Sequence, residues 1–552
     1  MINRYLLMFV LLWTFACDSN QQDADLIVHN AVIWTGDDNN PKATTLVVDD
    51  GIILAVGEPE LISQYEGANT TIIDVNGKFI TPGFIDTHVH FITGGQNLSS
   101  VQLRDASTQA EFINRIADFA KAIEPGTWII GGDWDHKLWG GELPQKEWVD
   151  SVTSENPILL NRLDGHMALT NSLGLEAFNI SATTPSVEGG NIVKNEEDEP
   201  TGLLEENAFY NQMEYVPEFS DAQNEAFATA AMKYVASHGV TSVHDMNGFT
   251  DMAVFERLHS KGALITRIYS NTPLPDWQQL KEKIDATGSG DSWLKIGGLK
   301  GFVDGSLGSH TAAFFEGFTD EPKEHGYFVN SRDDLYSWIK GADEANLQVM
   351  VHAIGDSANS TILDIYEQVE QENGPRDRRF RVEHAQHLTN DDINRFVELG
   401  VIPVMQPYHA IDDGRWALDV IGPERIKTTY AFKSLLDANA KLAFGSDWFV
   451  APPIPLLGIY AAITRRTLDD QNPDGWVPEQ KITVEEALIA YTINGAYASF
   501  EEDIKGSLEV GKLADFVVFD RNLLEIDPVI IKNAMVLMTF VGGKQVYVAE
   551  QL

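Results

Sequence analysis

Two histidines stand two residues apart where a short apolar run ends, in Phe84-Ile85-Asp86-Thr87-His88-Val89-His90. In an extended strand, residues two apart share a face, so His88 and His90 project together while Val89 turns away. Two imidazoles on one side of a strand end can chelate one divalent metal ion. Further along, Val349-Met350-Val351-His352, Arg381-Val382-Glu383-His384 and Ala443-Phe444-Gly445-Ser446-Asp447 each end an apolar run on a residue of metal-binding type. Lys300 sits in Gly298-Leu299-Lys300-Gly301-Phe302-Val303-Asp304. Taken singly, such a histidine reads as a hydrogen-bonded core residue and such a lysine as an ion-pair partner. The ordered set His88, His90, Lys300, His352, His384 and Asp447 points instead to one centre assembled from distant parts of the chain.

Positioning that set requires strands that end side by side. Between Phe84 and Phe444 apolar runs alternate with longer helical patterns, the signature of βα units and a parallel sheet. Eight candidate strands are Phe84–His88, Val240–His244, Leu264–Tyr269, Ile296–Phe302, Gln348–His352, Phe380–His384, Val401–Met405 and Lys441–Phe444. Eight is the number of a (β/α)8 TIM barrel, whose sites form at the C-terminal ends of the strands. The gap after the first strand, about 94–227, is read as an insertion with its own elements, including Pro157-Ile158-Leu159-Leu160-Asn161. Period-2 runs at residues 25–80, and others around 500–552 that include Gly506-Ser507-Leu508, predict one small β-sandwich domain built from both chain ends. Residues 81–499 then form the barrel, with Thr81-Pro82-Gly83 at the junction.

The resemblance to known proteins lies in the ordered ligand set and in local motifs. These motifs are Leu163-Asp164-Gly165-His166, Thr201-Gly202-Leu203-Leu204-Glu205-Glu206, Lys300 to Ser309, Val351-His352-Ala353-Ile354-Gly355-Asp356 and Gly445-Ser446-Asp447-Trp448. From about Ala24 to Val548 the chain resembles the amidohydrolase superfamily, and more closely amidohydrolase family 3. That branch includes the YtcJ-like proteins and the N-substituted formamide deformylases. The resemblance implies that His88, His90 and Asp447 hold one metal, that His352 and His384 hold a second, and that Lys300 bridges them as a carbamate. Zinc suits such donors best, though ligand type also admits iron, manganese and nickel. The implied activity is hydrolysis of non-peptide C–N bonds, of amide or formamide type, by a metal-activated water. Asp447 acts as general base and then acid, with His384 beside it in the catalytic set. One metal or two stays open at this point: in the mononuclear alternative Lys300 is unmodified and pairs with a carboxylate such as Asp304. Deaminase or ester/carbamate hydrolase chemistry is a second reading of the same site, and a catalytically silent binding protein is a third, of another class. For substrate contacts, His166 is placed to hydrogen-bond a carbonyl, Trp134 to wall an apolar pocket, and His310 to face the site. His29, His238, His259, His325, His387 and His409 are assigned to surface or loop roles, while His244 is placed at the end of strand two.

Composition narrows the partners. The 39 basic and 82 acidic residues give a formal net charge of −43, which repels nucleic acid and anionic membrane surfaces. Small-molecule substrates remain, and homo-oligomerisation is open. No Gly-rich loop of P-loop spacing is present, which argues against nucleotide-driven chemistry. A single cysteine, Cys17, excludes an intrachain disulfide. It follows a basic start and the apolar run Tyr5–Ala16, so residues 1–17 read as a secretory signal of lipoprotein type. Residues 18–24 form a tether, and the expected location is the bacterial periplasm or cell envelope, with Cys17 as the lipid anchor and the membrane's only point of contact.

Overall fold

The computed structural model describes residues 23–185 and 187–550; the signal segment and Cys17 lie outside them. Eight parallel strands occur in barrel order: Phe84–Val89, Val240–Asp245, Arg267–Pro273, Leu294–Phe302, Gln348–Ala353, Arg381–His384, Ile402–Met405 and Ala443–Phe444. Sheet twist brings the eighth strand back to the first, where Thr87 Oγ1 donates to the Phe444 carbonyl at 2.7 Å and Val89 pairs with Trp448. Helices such as Asp356–Asn373 and Arg332–Glu344 cover the outside, burying Ile362, Ile365, Leu335 and Ile339 against the sheet.

Strand three runs four residues beyond the expected Leu264–Tyr269. Its second half, Ser270-Asn271-Thr272, is polar yet buried. There Asn271 Nδ2 donates to the Asp245 carbonyl at 2.8 Å. Period-2 hydropathy cannot mark a strand whose buried face is polar.

After strand one the chain forms a helix, Phe91–Asn97, and it approaches strand two through the helix Asp221–Ser237. These two helices touch closely: a Cβ on Gly95 would stand 2.2 Å from the Phe227 carbonyl oxygen, so only glycine fits there. Between them lies a five-stranded sheet ordered Gly190–Lys194, Pro200–Glu206, Met167–Thr170, Ile158–Arg162 and Ile129–Trp134. It packs around apolar residues of its own, among them Phe112, Ile116, Leu160 and Leu169.

Both chain ends meet in two further sheets. One joins Ile52–Gly57, Thr45–Asp49, Leu26–His29 and Thr71–Asp74; the other joins Lys544–Val548, Val536–Val541, Phe516–Phe519, Phe79–Pro82, Val32–Trp34 and Lys42–Ala43. Leu26, Val28 and Leu46 from the first pack against Ile33, Phe516, Val518 and Phe540 from the second, with the Phe516 and Phe540 rings stacked at 4.3 Å. Gly506-Ser507-Leu508 is loop rather than strand: only the Leu508 amide is engaged, donating to the Thr35 carbonyl at 2.7 Å. Strand Phe79–Pro82 pairs with Phe516–Phe519 and runs directly into barrel strand one. Arg267, on strand three, reaches the same sheet through a two-pronged pair with Asp515 at 2.6 and 2.9 Å. Among the described residues no helix is long and apolar enough to cross a membrane.

Candidate metal centre

The six residues picked out by the sequence meet at the C-terminal mouth of the barrel. His88 ends strand one, Lys300 lies on strand four, His352 on strand five and His384 on strand six, while His90 and Asp447 follow strands one and eight. The His88 and His90 rings are 5.8 Å apart, His88 and His384 5.0 Å, and His352 and His384 4.5 Å. Asp447 Oδ1 stands 3.3 Å from His88 Nε2 and 3.5 Å from His90 Nε2. Ligand atoms about 2.0–2.2 Å from one tetrahedral ion stand roughly 3.3–3.5 Å apart, so this trio has the spacing of an ion's ligands. The same oxygen is buried and has no hydrogen-bond partner among the described residues, a costly state unless a cation faces it.

The rings are also oriented for ligation. His88 Nδ1 donates to Glu383 Oε2 at 2.5 Å, His90 Nδ1 to Asn247 Oδ1 at 2.5 Å, His352 Nε2 to the Gly305 carbonyl at 3.0 Å, and His384 Nδ1 to Gln406 Oε1 at 2.8 Å. Each imidazole therefore spends one nitrogen as a donor and keeps the other as a lone pair, the tautomer control that metal-bound histidines need. Burial, with Lys300 and neighbouring histidines adding to it, holds His88, His352 and His384 well below the usual histidine pKa and so keeps them neutral.

Lys300 is buried, and its Nζ lies 3.1 Å from His88 Nε2 and 4.6 Å from the centre of the Phe302 ring. Burial lowers its pKa to about 8, against the opposing pull of Glu383 and Asp447. It does not pair with Asp304. That carboxylate accepts from the amides of Ala313 at 2.8 Å, Ile354 at 3.0 Å and Gly355 at 2.8 Å, and so fixes the loops after strands four and five. A second structural carboxylate, Asp86, accepts from the Ser446 amide at 2.8 Å, and the Asp447 amide donates to the His88 carbonyl at 2.7 Å. These two bonds tie the loop carrying Asp447 to strand one.

The cavity over the centre holds about 480 Å³, within the range of small-molecule sites. His90, Lys300, His352, His384, Asp447 and His166 line it on the polar side, and Phe209, Tyr210, Met213, Met246, Phe302 and Phe449 on the apolar side. His166 lies 5.3 Å from His352, ring to ring, and holds Glu206 at 2.9 Å through Nδ1. Burial works against its charge, yet Glu206 and then Asp164 outweigh it and raise its pKa to about 9. A smaller polar recess of about 50 Å³ opens beside the centre, walled by Asp135, Arg162, Asp164, His409 and Asp412.

Other sequence-predicted positions fall elsewhere. Trp134 is fully buried within the inserted sheet, its indole donating to the Leu160 carbonyl at 2.7 Å, and it walls neither cavity. It fills the insertion's own core instead. His310 turns to Asp320 at 3.1 Å and packs on Phe318, away from the centre. His387 is buried against Thr429 rather than exposed. His409, expected in a surface or loop role, comes to the centre: with His384 and Asp447 it forms a second group able to hold an ion, and its Nε2 has no partner among the described residues. The sequence carried a signal for it, since Gln406 and His409 directly follow strand seven at the barrel mouth. Glu383 was readable only as the neighbour of His384.

Comparison with known proteins agrees with this geometry. Residues 71–547 match the family described as "Amidohydrolase family". The protein LONG AFTER FAR-RED 3 of Arabidopsis thaliana is 40% identical over 95% of this chain and 92% of its own length. YtcJ of Bacillus subtilis, named as an amidohydrolase, is 30% identical over 94% and 99%, and the N-substituted formamide deformylase of Arthrobacter pascens 27% over 95% and 98%. Among solved structures, an uncharacterized metal-dependent hydrolase from Pyrococcus horikoshii superposes with a TM-score of 0.73 at 27% identity, covering 91% of this chain and 99% of that one. An eight-stranded barrel with four tautomer-fixed histidines and an unpaired aspartate at its mouth, in a chain that matches almost end to end, places this protein in the amidohydrolase family.

Proposed function

We propose that the chain hydrolyses amide- or formamide-type C–N bonds of small molecules with a zinc-dependent centre. The observation that carries this reading is the set of four imidazoles, each with one nitrogen tied down and the other left for a metal around Asp447. His88, His90 and Asp447 would hold a first ion, and His352 with His384 a second. Lys300, buried and with no carboxylate paired to its Nζ among the described residues, would carry a carbamate between them, because the neutral amine favoured by burial can add carbon dioxide. A divalent ion supplies, when bound, a Lewis acid for the carbonyl and a water that ionises near neutral pH.

The protein's own groups do the rest. Asp447, facing the ion through Oδ1, would accept the water proton on its other oxygen and return it to the departing amine, as general base and then acid. Glu383, through His88 Nδ1, keeps the facing nitrogen of that ring unprotonated. His166, held as an imidazolium by Glu206, donates to the substrate's carbonyl oxygen from the cavity wall. Asp447→Asn is expected to keep the metal and lose turnover by several orders of magnitude. Near wild-type turnover at full metal content would remove Asp447 from that role. The N-terminal segment we assign to export, with Cys17 as lipid carrier. Metabolic labelling with a lipid precursor should mark the wild type and not Cys17→Ser, and an unlabelled wild type would end that assignment.

A further inference from the structure

The metal-centre cavity does not stop at its apolar wall. Gln96 and Ile130 close its far side, and the same two residues line a second cavity of about 360 Å³. This second space lies between the barrel helices and the inserted layer, walled by Phe119, Trp128, Pro217, Phe219 and Phe227. These aromatic rings are half-buried, and they are braced from behind: Trp128 stacks on Phe178 at 5.3 Å, Phe178 meets Tyr215 at 6.0 Å, and Phe219 meets Phe227 edge-on at 5.1 Å. Glu218 is the one ionisable residue on its wall, and it is exposed. Among the described residues no hydrogen bond holds the Gln96 side chain, so the partition can open by rotating that side chain.

We propose that the two cavities form one substrate channel, and that the substrates are amides bearing an extended, unbranched apolar arm. This inference rests on the hydrolase reading above and adds the substrate class. The reacting bond sits over His88, His90 and Asp447; the arm passes between Gln96 and Ile130 and lies against Trp128, Phe119 and Phe219. An arm ending in an anion is disfavoured, because Glu218 lines the second cavity and the protein as a whole is strongly acidic. Polar arms leave the aromatic wall without partners and gain nothing from it.

The test is a pair of homologous amide series, one lengthened on the acyl side and one on the amine side, measured as kcat/KM with the metal-loaded protein. Each methylene that enters an apolar wall should raise kcat/KM about fourfold. One series is expected to keep rising past the length that fills the first cavity. Thr127→Trp and Ser99→Trp fill the second cavity from exposed positions, so they should flatten the rise while short amides turn over as in wild type. Two series that stop rising once the first cavity is full would overturn the channel, and so would tryptophan variants that slow short and long amides alike. If no amide is hydrolysed, the hydrolase reading fails, and equilibrium dialysis of the same amides still decides the channel. Affinity that climbs with arm length and is lost in Thr127→Trp upholds it; length-independent affinity removes it.

Discussion

Replacing Glu383 with glutamine changes one atom and reaches both the metal centre and the barrel core. Glu383 is fully buried, with Oε2 accepting from His88 Nδ1 at 2.5 Å and Oε1 accepting from Arg381 Nε at 2.7 Å. A carboxylate can accept at both ends; an amide cannot. If glutamine offers its oxygen to His88, its NH2 meets the Arg381 guanidinium, donor to donor. If it turns round, its NH2 donates to His88 Nδ1, the ring proton moves to Nε2, and the nitrogen facing Asp447 is lost as a ligand. Removing such an outer partner of a metal-bound histidine costs about 10- to 100-fold in metal affinity, or about 1.4–2.8 kcal/mol. Arg381 also loses its carboxylate partner in a fully buried setting, where an unpaired charge costs about 3–5 kcal/mol of stability. Its remaining bonds, to the Thr87 carbonyl at 2.6 Å and to His244 Nδ1 at 3.0 Å, moderate that loss. Chelator competition measures the affinity, and chemical denaturation of the metal-free protein measures the stability. A glutamine variant with metal affinity within threefold of wild type and undiminished stability would refute the reasoning, because each orientation of the amide is expected to cost one or the other.

Lys300→Met keeps the bulk of the side chain and removes its nitrogen, so elemental analysis should show one metal ion fewer per chain; an unchanged stoichiometry would remove the bridging role. The His166–Glu206 pair makes stability depend on pH. Its folded pKa of about 9 lies above the unfolded value of about 6.5, so the stabilisation is complete below about pH 6.5 and is lost as pH rises through 9. Denaturation curves should lose up to about 1.4 kcal/mol per pH unit across that window, and Glu206→Gln should remove most of the slope, leaving the smaller part due to Asp164. A slope that persists undiminished in Glu206→Gln would assign it to another group.

Much of the centre was legible because metal chemistry restricts which residues can serve, and strand ends are where a barrel gathers them. His88 and His90 obey the two-residue alternation of an extended strand. Glu383 and His384 do not: adjacent strand residues should face opposite ways, yet one holds His88 and the other joins the centre. A φ of +74° at His384 turns the chain out of extended geometry at that point, and no local pattern announces it. His409 was hidden for a related reason, since the short helix Pro407–Asp413 folds a loop histidine back over the mouth. Trp134 misled because an aromatic in an insertion that would cover the barrel mouth reads as a pocket wall, while the five-stranded inserted sheet gave it a core of its own to fill. The second half of strand three escaped hydropathy because its buried residues are serine, asparagine and threonine.

The pairing of Phe79–Pro82 with Phe516–Phe519 sets an order of events during synthesis. The strand that delivers His88 and His90 leaves the ribosome long before Phe516–Phe519, one of the two neighbours that steady its leading end. Until then a nascent chain carries two ligands of a chelating site on a strand whose leading end is paired only with Val32–Trp34, beside open apolar sheet, the kind of exposure that invites misassembly. A chain cut short before Phe516 would therefore lose more than its terminal sheet, since the strand presenting its first two ligands would be held on one side only, and metal retention would report whether the second neighbour had been made.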